Sequence, residues 1–208
     1  MFTGIVQAIG KVREPEKLGA GLRLTIVCPA SFGLDTVAIG DSIAVNGACM
    51  TVVAKTAESF QIDVSAESLS KTCGLDTFGE VNLEKAMRLG DRIDGHLVSG
   101  HVDGVGQVES IEKLEESVRL IVHAPVKLSP YFAYKGSVAV NGVSLTINAV
   151  EDTAMGANIS INLIPHTVQA TTLKNLRAQD MVNLEVDTIA RYVERMVSLR
   201  QRSEDDLF

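Results

Sequence analysis

The first half of this chain is written a second time in its second half, and this duplication constrains the fold more than any other feature. Ser42-Ile43-Ala44-Val45-Asn46-Gly47 returns as Ser137-Val138-Ala139-Val140-Asn141-Gly142. The opening Phe2-Thr3-Gly4-Ile5-Val6 returns as Val98-Ser99-Gly100-His101-Val102, and Val81-Asn82-Leu83-Glu84 as Val182-Asn183-Leu184-Glu185. The offset runs from 96 (2 to 98) to 95 (42 to 137) to 101 (81 to 182), the drift that loop insertions between fixed strands produce. The 208 residues are therefore expected to form two similar domains of roughly 95 residues each, within the usual domain range. A pseudo-two-fold relating them suits a protein that holds two copies of one small molecule face to face.

Composition narrows the partners. Apolar residues make up 46% of the chain, enough for a core in each half. Tryptophan is absent and aromatic residues reach only 4%, which argues against a stacking surface for single-stranded nucleic acid. A formal charge of -7 argues against nucleic acid and against an anionic membrane surface, since both need clustered Lys and Arg. No apolar run has the length of a membrane span, and Met1-Phe2-Thr3-Gly4 lacks the basic and apolar regions of a secretory leader. Cys28, Cys49 and Cys73 are odd in number and lack paired spacing, so they read as reduced thiols of a cytoplasmic protein.

Short alternating or apolar runs dominate, broken by Gly, Asn and Asp. In the first half Leu22–Val27, Ser42–Val45, Thr51–Val53, Phe60–Val64 and Val81–Glu84 read as strands. Their counterparts are Ser117–Val122, Val138–Val140, Thr146–Asn148, Asn158–Leu163 and Val182–Val186. Strands this short and evenly spaced predict an all-β chain with a small antiparallel barrel or sandwich in each half. Pro29-Ala30-Ser31-Phe32 and Pro125-Val126-Lys127-Leu128 predict a short helix at equivalent places. From Thr188 onward Ile189, Tyr192, Val193, Met196 and Val197 recur at helical spacing and form one apolar stripe. Such a helix packs either on its own domain or on copies of itself; the sequence does not choose.

Four segments, Met1-Phe2-Thr3-Gly4-Ile5-Val6, Asn46-Gly47-Ala48-Cys49-Met50-Thr51, His96-Leu97-Val98-Ser99-Gly100-His101-Val102 and Asn141-Gly142-Val143-Ser144-Leu145-Thr146, together resemble riboflavin synthase of the type built from two lumazine-binding repeats. They fall in order along the chain from residue 1 to the tail helix. The resemblance implies two tandem six-stranded antiparallel Greek-key β-barrels plus a C-terminal α-helix. It divides the chain into an N-terminal barrel (1–96), a C-terminal barrel (97–187) and an oligomerisation helix (188–208). It implies a homotrimer formed through that helix, with each active site between the N-terminal barrel of one subunit and the C-terminal barrel of its neighbour. The implied reaction is a dismutation: two molecules of 6,7-dimethyl-8-ribityllumazine exchange a four-carbon unit, giving riboflavin and 5-amino-6-ribitylamino-pyrimidinedione, the last step of riboflavin biosynthesis. No metal and no cofactor is implied, and lumazine synthase is an implied partner.

The chemistry assigns work to particular residues. The implied reaction asks one lumazine to lose a proton from its 7-methyl group and the other to become electrophilic by adding a nucleophile at C7. His101 is the first candidate for proton transfer, because histidine shuttles protons near neutrality. It stands where the first repeat has Ile5, so a polar residue breaks the duplication there. Cys49 and Ser144 are equivalent, each followed two residues on by threonine, Thr51 or Thr146, and a thiol against a hydroxyl makes the two pockets unequal. The resemblance places Cys49, Ser144, Thr146 and Thr3 among the catalytic residues and leaves the covalent roles open. It has Phe2, Gly4, Ile5, Val6, Gly100 and Val102 frame the rings with extended main chain, beside Met50, Thr51 and Leu145. Asp63, Val64, Ser65, Ala66, Glu67 and Ser68 match Asn162, Leu163, Ile164, Pro165, His166 and Thr167 as ribityl- and ring-contacting segments. His166 stands where some relatives carry glutamate, so binding at the C-terminal site is expected to depend on pH. Lys135, whose counterpart is Gly40, is a candidate to stabilise negative charge on the pteridine, and Asp187 to orient a partner across the trimer interface.

Other readings are weaker. Asp91, Asp94, His96, His101 and Asp103 lack the spacing of a zinc site. Gly104-Val105-Gly106 is followed by Glu109 where a dinucleotide fingerprint needs its third glycine. A lumazine-binding antenna protein without activity is the nearest rival. The presence of Thr3, Cys49, His101, Ser144 and Thr146 favours the enzyme.

Overall fold

The computed structural model describes residues 1–205, with side chains described through residue 200. The last three residues of the expected 188–208 helix lie outside the described residues.

The first repeat contributes β1 (Ala8–Val12), β2 (Glu16–Leu18), β3 (Gly21–Val27), β4 (Ser42–Val45), β5 (Ala48–Lys55), β6 (Ser59–Val64), α1 (Ala66–Lys71) and β7 (Gly79–Lys85). The second contributes β8 (Gly104–Lys113), β9 (Val118–Pro125), β10 (Ser137–Val140), β11 (Val143–Thr153), β12 (Gly156–Leu163), α2 (Pro165–Ala170) and β13 (Met181–Val186). A terminal helix, α3 (Thr188–Asp205), follows. All pairings are antiparallel. The first barrel runs β1-β7-β4-β5-β6-β3 and closes through Lys11↔Val27 and Val12↔Ile26. The second runs β10-β11-β12-β9-β8-β13 and closes through Val138↔Val186. The two expected short helices form as 3-10 turns, Ala30–Phe32 and Val126–Tyr131.

Three strands escape the sequence reading, β1, β2 and β8, and β1 and β8 each complete a six-stranded ring. Their difference has a covalent cause. β8 is a single ten-residue strand, whereas its counterpart is split into β1 and β2 around Pro15. Proline has no N–H for the ladder and is confined to such breaks.

Alternation fills each barrel. Val12, Leu24, Ile26, Ile43, Phe60, Ile62 and Leu83 form the first core, and Val108, Leu120, Val122, Val138, Ile147, Ile159 and Val182 the second, all fully buried. A third cluster, Phe2, Ala44, Val98 and Ala139, lies between them. Burying a large apolar side chain is worth about 1.5–3 kcal/mol, so this cluster fixes the barrels against one another.

The pseudo-two-fold passes between two hairpin turns. Asn46-Gly47 and Asn141-Gly142 have positive φ at both central residues, the turn type whose twist matches flanking strands. A side chain on Gly47 would lie 2.7 Å from the Gly142 nitrogen, so only glycine permits this approach. Around the axis Asn82 Nδ2 donates to the Asn141 carbonyl at 2.9 Å and Asn183 Nδ2 to the Asn46 carbonyl at 3.0 Å. Their Oδ1 atoms accept from the Thr172 and Cys73 amides respectively. Each repeat thus completes the polar network of the other.

The tail helix leaves its stripe uncovered by its own barrels. Ile189, Tyr192, Val193, Met196 and Val197 are 45–67% exposed. The base of the helix touches the Val126–Tyr131 turn, but the stripe itself does not pack on its own domain. Asp187 caps the helix by accepting the Ile189 amide at 2.8 Å, and Arg191 anchors its first turn to Asp103 at 2.8 Å.

Candidate functional site

The segment that opens each repeat crosses to the other repeat's barrel. Phe2 and Val98 pair on the axis, exchanging hydrogen bonds of 2.7 and 3.0 Å. Beyond that point the chains diverge. The Ser144 amide donates to the Gly4 carbonyl at 2.8 Å, and the Cys49 amide to the Gly100 carbonyl at 2.7 Å. Val6 packs on the second core and Val102 on the first. Gly4-Ile5-Val6 therefore joins Ser144, and Gly100-His101-Val102 joins Cys49.

These segments are not the plainly extended chains expected. Gly4 and Gly100 have φ of 75° and 79°, and a Cβ on either would lie 2.6 Å from that of Ser144 or Cys49. Glycine is required twice over, by conformation and by space.

Each site is completed by its barrel. Val52↔Ile62 and Ile147↔Ile161 put the starts of β5 and β11 beside the ends of β6 and β12. The first site thus joins Cys49, Met50, Thr51, His101 and the segment Asp63–Ser68. The second joins Ser144, Leu145, Thr146, Ile5 and the segment Asn162–Thr167. In both, residues alternate. Met50, Val64, Leu145 and Leu163 are buried in the cores, so they offer only main chain outward, while Thr51, His101, Thr146 and His166 are exposed. Glu67 and His166 occupy equivalent places in the first turns of α1 and α2. Ser65 caps α1 by accepting the Ser68 amide at 3.1 Å, whereas Pro165 opens α2 without a side-chain cap.

Some expected side chains are engaged elsewhere. Phe2 is fully buried behind them, with its ring 2.8 Å from where a Gly100 Cβ would stand. The Asp63 carboxylate is held by Arg23 in a two-point ion pair of 2.7 and 2.9 Å, which lowers its pKa. Thr3 is buried, its hydroxyl donating to Glu84 at 2.7 Å. A cavity of about 920 Å³ is lined by Thr3 and by Ile5 of the second site, but by none of Cys49, His101 or Ser144.

The two sites differ most along one face of β11. Ser144, Thr146 and Asn148 alternate on its outer side, and Lys135 Nζ donates to Asn148 Oδ1 at 3.0 Å. Lys135 has φ of 64°, in the left-handed region where its counterpart is Gly40. A side chain is thus kept where glycine suffices for the turn. The corresponding first-repeat face carries Cys49, Thr51 and Val53.

His96 was not among the expected site residues. Its Nδ1 lies 2.7 Å from Ser144 Oγ, and its Nε2 is buried without a partner among the described residues. Burial pushes the imidazole below its ordinary pKa, against the pull of Asp187 and Glu185. Its presence in the quoted His96–Val102 motif was the available signal. Among the described residues no group of three His, Cys, Asp or Glu side chains is placed to hold a metal ion.

The lumazine-binding domain family matches this chain twice, over residues 3–86 and 99–187. The chain is 42% identical to the riboflavin synthase of Photobacterium phosphoreum, with 99% of this chain and 92% of that one covered. It is 39% identical to the enzyme of Brucella abortus (97% and 100%) and 40% identical to that of Bacillus subtilis (95% and 90%). The chain belongs to the riboflavin synthase family. The fold of this family member is also that of LumP, solved with 6,7-dimethyl-8-(1'-D-ribityl) lumazine and with riboflavin. TM-scores are 0.78 and 0.80 at 26% and 27% identity, covering 89% of this chain and 99% of LumP. Each family repeat spans one barrel together with the segment that crosses from it.

Proposed function

We propose that this chain catalyses the dismutation of two 6,7-dimethyl-8-ribityllumazine molecules to riboflavin and 5-amino-6-ribitylamino-pyrimidinedione. The observation that carries this reading is the pair of related but unequal sites. One offers Cys49 and His101, the other Ser144 bonded to His96, with Lys135 alongside. A dismutation asks two identical molecules to play opposite parts, and unequal sites supply that difference. The two products together contain the same atoms as the two substrates, so the overall change needs no external oxidant. A proton leaves the 7-methyl group of one lumazine. The other accepts a nucleophile at C7; two carbon–carbon bonds form, the nucleophile departs again, and the four-carbon unit leaves its pyrimidine nitrogens, the released pyrimidine taking up the protons shed by the methyl groups. Holding the rings in register supplies much of the acceleration such a reaction needs.

The exposed stripe of α3 supports a homotrimer, in which the first site of one subunit faces the second site of its neighbour. Three free cysteines suit a cytoplasmic protein, and among the described residues no helix is long and apolar enough to cross a membrane. Association with lumazine synthase would pass the substrate directly from the enzyme that makes it. Co-sedimentation of the two proteins tests that association.

The decisive experiment incubates the purified protein with the lumazine in EDTA, without added cofactor. Release of one riboflavin per two substrates is expected. The likeness to LumP favours a second reading, a ligand-holding protein; tight binding without turnover would select it.

A further inference from the structure

Glu84 and Glu185 are nearly fully buried, at 4% and 2% exposure, at equivalent places in β7 and β13. A buried carboxylate is costly unless its oxygens are satisfied, and here each takes three donors. Glu84 Oε1 accepts the Thr3 amide and hydroxyl, both at 2.7 Å, and Oε2 accepts the Gly4 amide at 3.0 Å. Glu185 Oε1 accepts the Ser99 amide at 2.6 Å and its hydroxyl at 2.7 Å, and Oε2 the Gly100 amide at 2.9 Å. The clamped residues are the ones at which each segment leaves its own repeat. One peptide further on, the Gly4 carbonyl takes the Ser144 amide and the Gly100 carbonyl takes the Cys49 amide.

We propose that Glu84 and Glu185 are crossed positioning residues: the carboxylate of each barrel sets the ligand-framing segment of the other barrel's site. This rests on the reading that the two sites hold ribityl-lumazine or flavin rings. An ionised carboxylate only accepts, which suits three converging donors. A glutamine would turn an N–H₂ group toward the Gly4 or Gly100 amide. The segment would then swing off its carboxylate while the barrel around it stays closed.

The test uses riboflavin carrying ¹³C in one ring methyl group, whose two bound resonances, one per site, are assigned with Cys49→Ala and Ser144→Ala. Glu185→Gln is expected to weaken binding at the Cys49 site roughly ten- to a hundredfold, the worth of a hydrogen bond to a charged group, and to affect the Ser144 site, which it reaches only through its charge on His96, far less. Glu84→Gln is expected to do the reverse. Ser99→Ala, which removes one donor from Glu185, gives a smaller loss confined to the Cys49 site, and tests the clamp if a glutamine variant does not fold. Equal losses at both sites mark a merely structural role and overturn the proposal, as does a loss at the mutated barrel's own site or no loss at all. Failure of the unmodified protein to bind riboflavin would overturn the lumazine-site reading itself, and this inference with it.

Discussion

His96 and Ser144 form a hydrogen-bonded pair, Nδ1 to Oγ at 2.7 Å. Among the described residues no histidine hydrogen-bonds Cys49, the counterpart of Ser144. With Ser144 as donor, Nδ1 accepts and the ring proton of His96 sits on the buried Nε2. A neutral imidazole in this position can take the Ser144 proton as its oxygen adds to carbon. The pair therefore makes the second site the better candidate for activating the electrophilic lumazine.

Replacing His96 by glutamine is expected to lower kcat roughly a hundredfold, in the range of general base catalysis. Steady-state kinetics on a variant with an unchanged melting temperature checks this. An undiminished kcat would remove His96 from the chemistry.

The same residue sets a pH dependence of stability. Its folded pKa is depressed by burial, so below about pH 6.5 the unfolded chain binds a proton that the folded chain resists. The contribution is full above that pH. It falls as pH drops, and is lost once pH passes below the depressed folded value. Urea titrations between pH 5 and 7.5 should show this slope, and His96→Gln should flatten it.

Gly4→Ala and Gly100→Ala each force a Cβ into the opposite hairpin from a left-handed backbone. Each is expected to cost about 1–3 kcal/mol and to weaken ligand at one site only, Ser144 for the first and Cys49 for the second. Thermal melts and lumazine titration measure the two effects. A variant as stable and as tight-binding as the parent would contradict the close approach.

At the axis, Asn82→Leu leaves the Asn141 carbonyl and the Thr172 amide without partners. Each orphaned buried group costs about 1–3 kcal/mol, so this variant should lose several times what an exposed substitution loses. Chemical denaturation gives the number. A near-zero change would mean that the barrels do not depend on the network.

On α3, Tyr192→Glu with Met196→Glu places two charges on the exposed stripe. The expected result is a monomer by light scattering, with the barrels still folded by circular dichroism. An unchanged mass would show that the stripe is not the assembly surface.

Much of this was legible because it is local. Ser42–Val45 is a plain apolar run and Val182–Val186 alternates in sequence, Asn46-Gly47 announces its turn, and the Ile189–Val197 stripe announces a helix. β1 and β8 were less so, since glycines Gly10, Gly104 and Gly106 interrupt their apolar pattern. Gly10 and Gly106 sit where a Cβ would meet Leu83 or Leu184 at 2.6 Å, so these gaps in the pattern are themselves packing. Glu84 and Glu185 were visible as a repeated acid, yet a charge at a strand end reads as solvated until its three donors are seen.

The duplicated chain by itself determined two barrels of related strands, their hairpin turns and a terminal helix, because alternation and turn chemistry act between near neighbours in sequence. Only the tertiary structure decided that Gly4 meets Ser144 and Gly100 meets Cys49, that His96 serves Ser144, and that each glutamate clamps the segment crossing to the other barrel. Those partners stand 48 to 140 residues apart, and two near-identical repeats offer each segment two similar hairpins. What selects between them is the packing of Phe2 and Val98 on the shared axis, a contact that neither repeat contains alone.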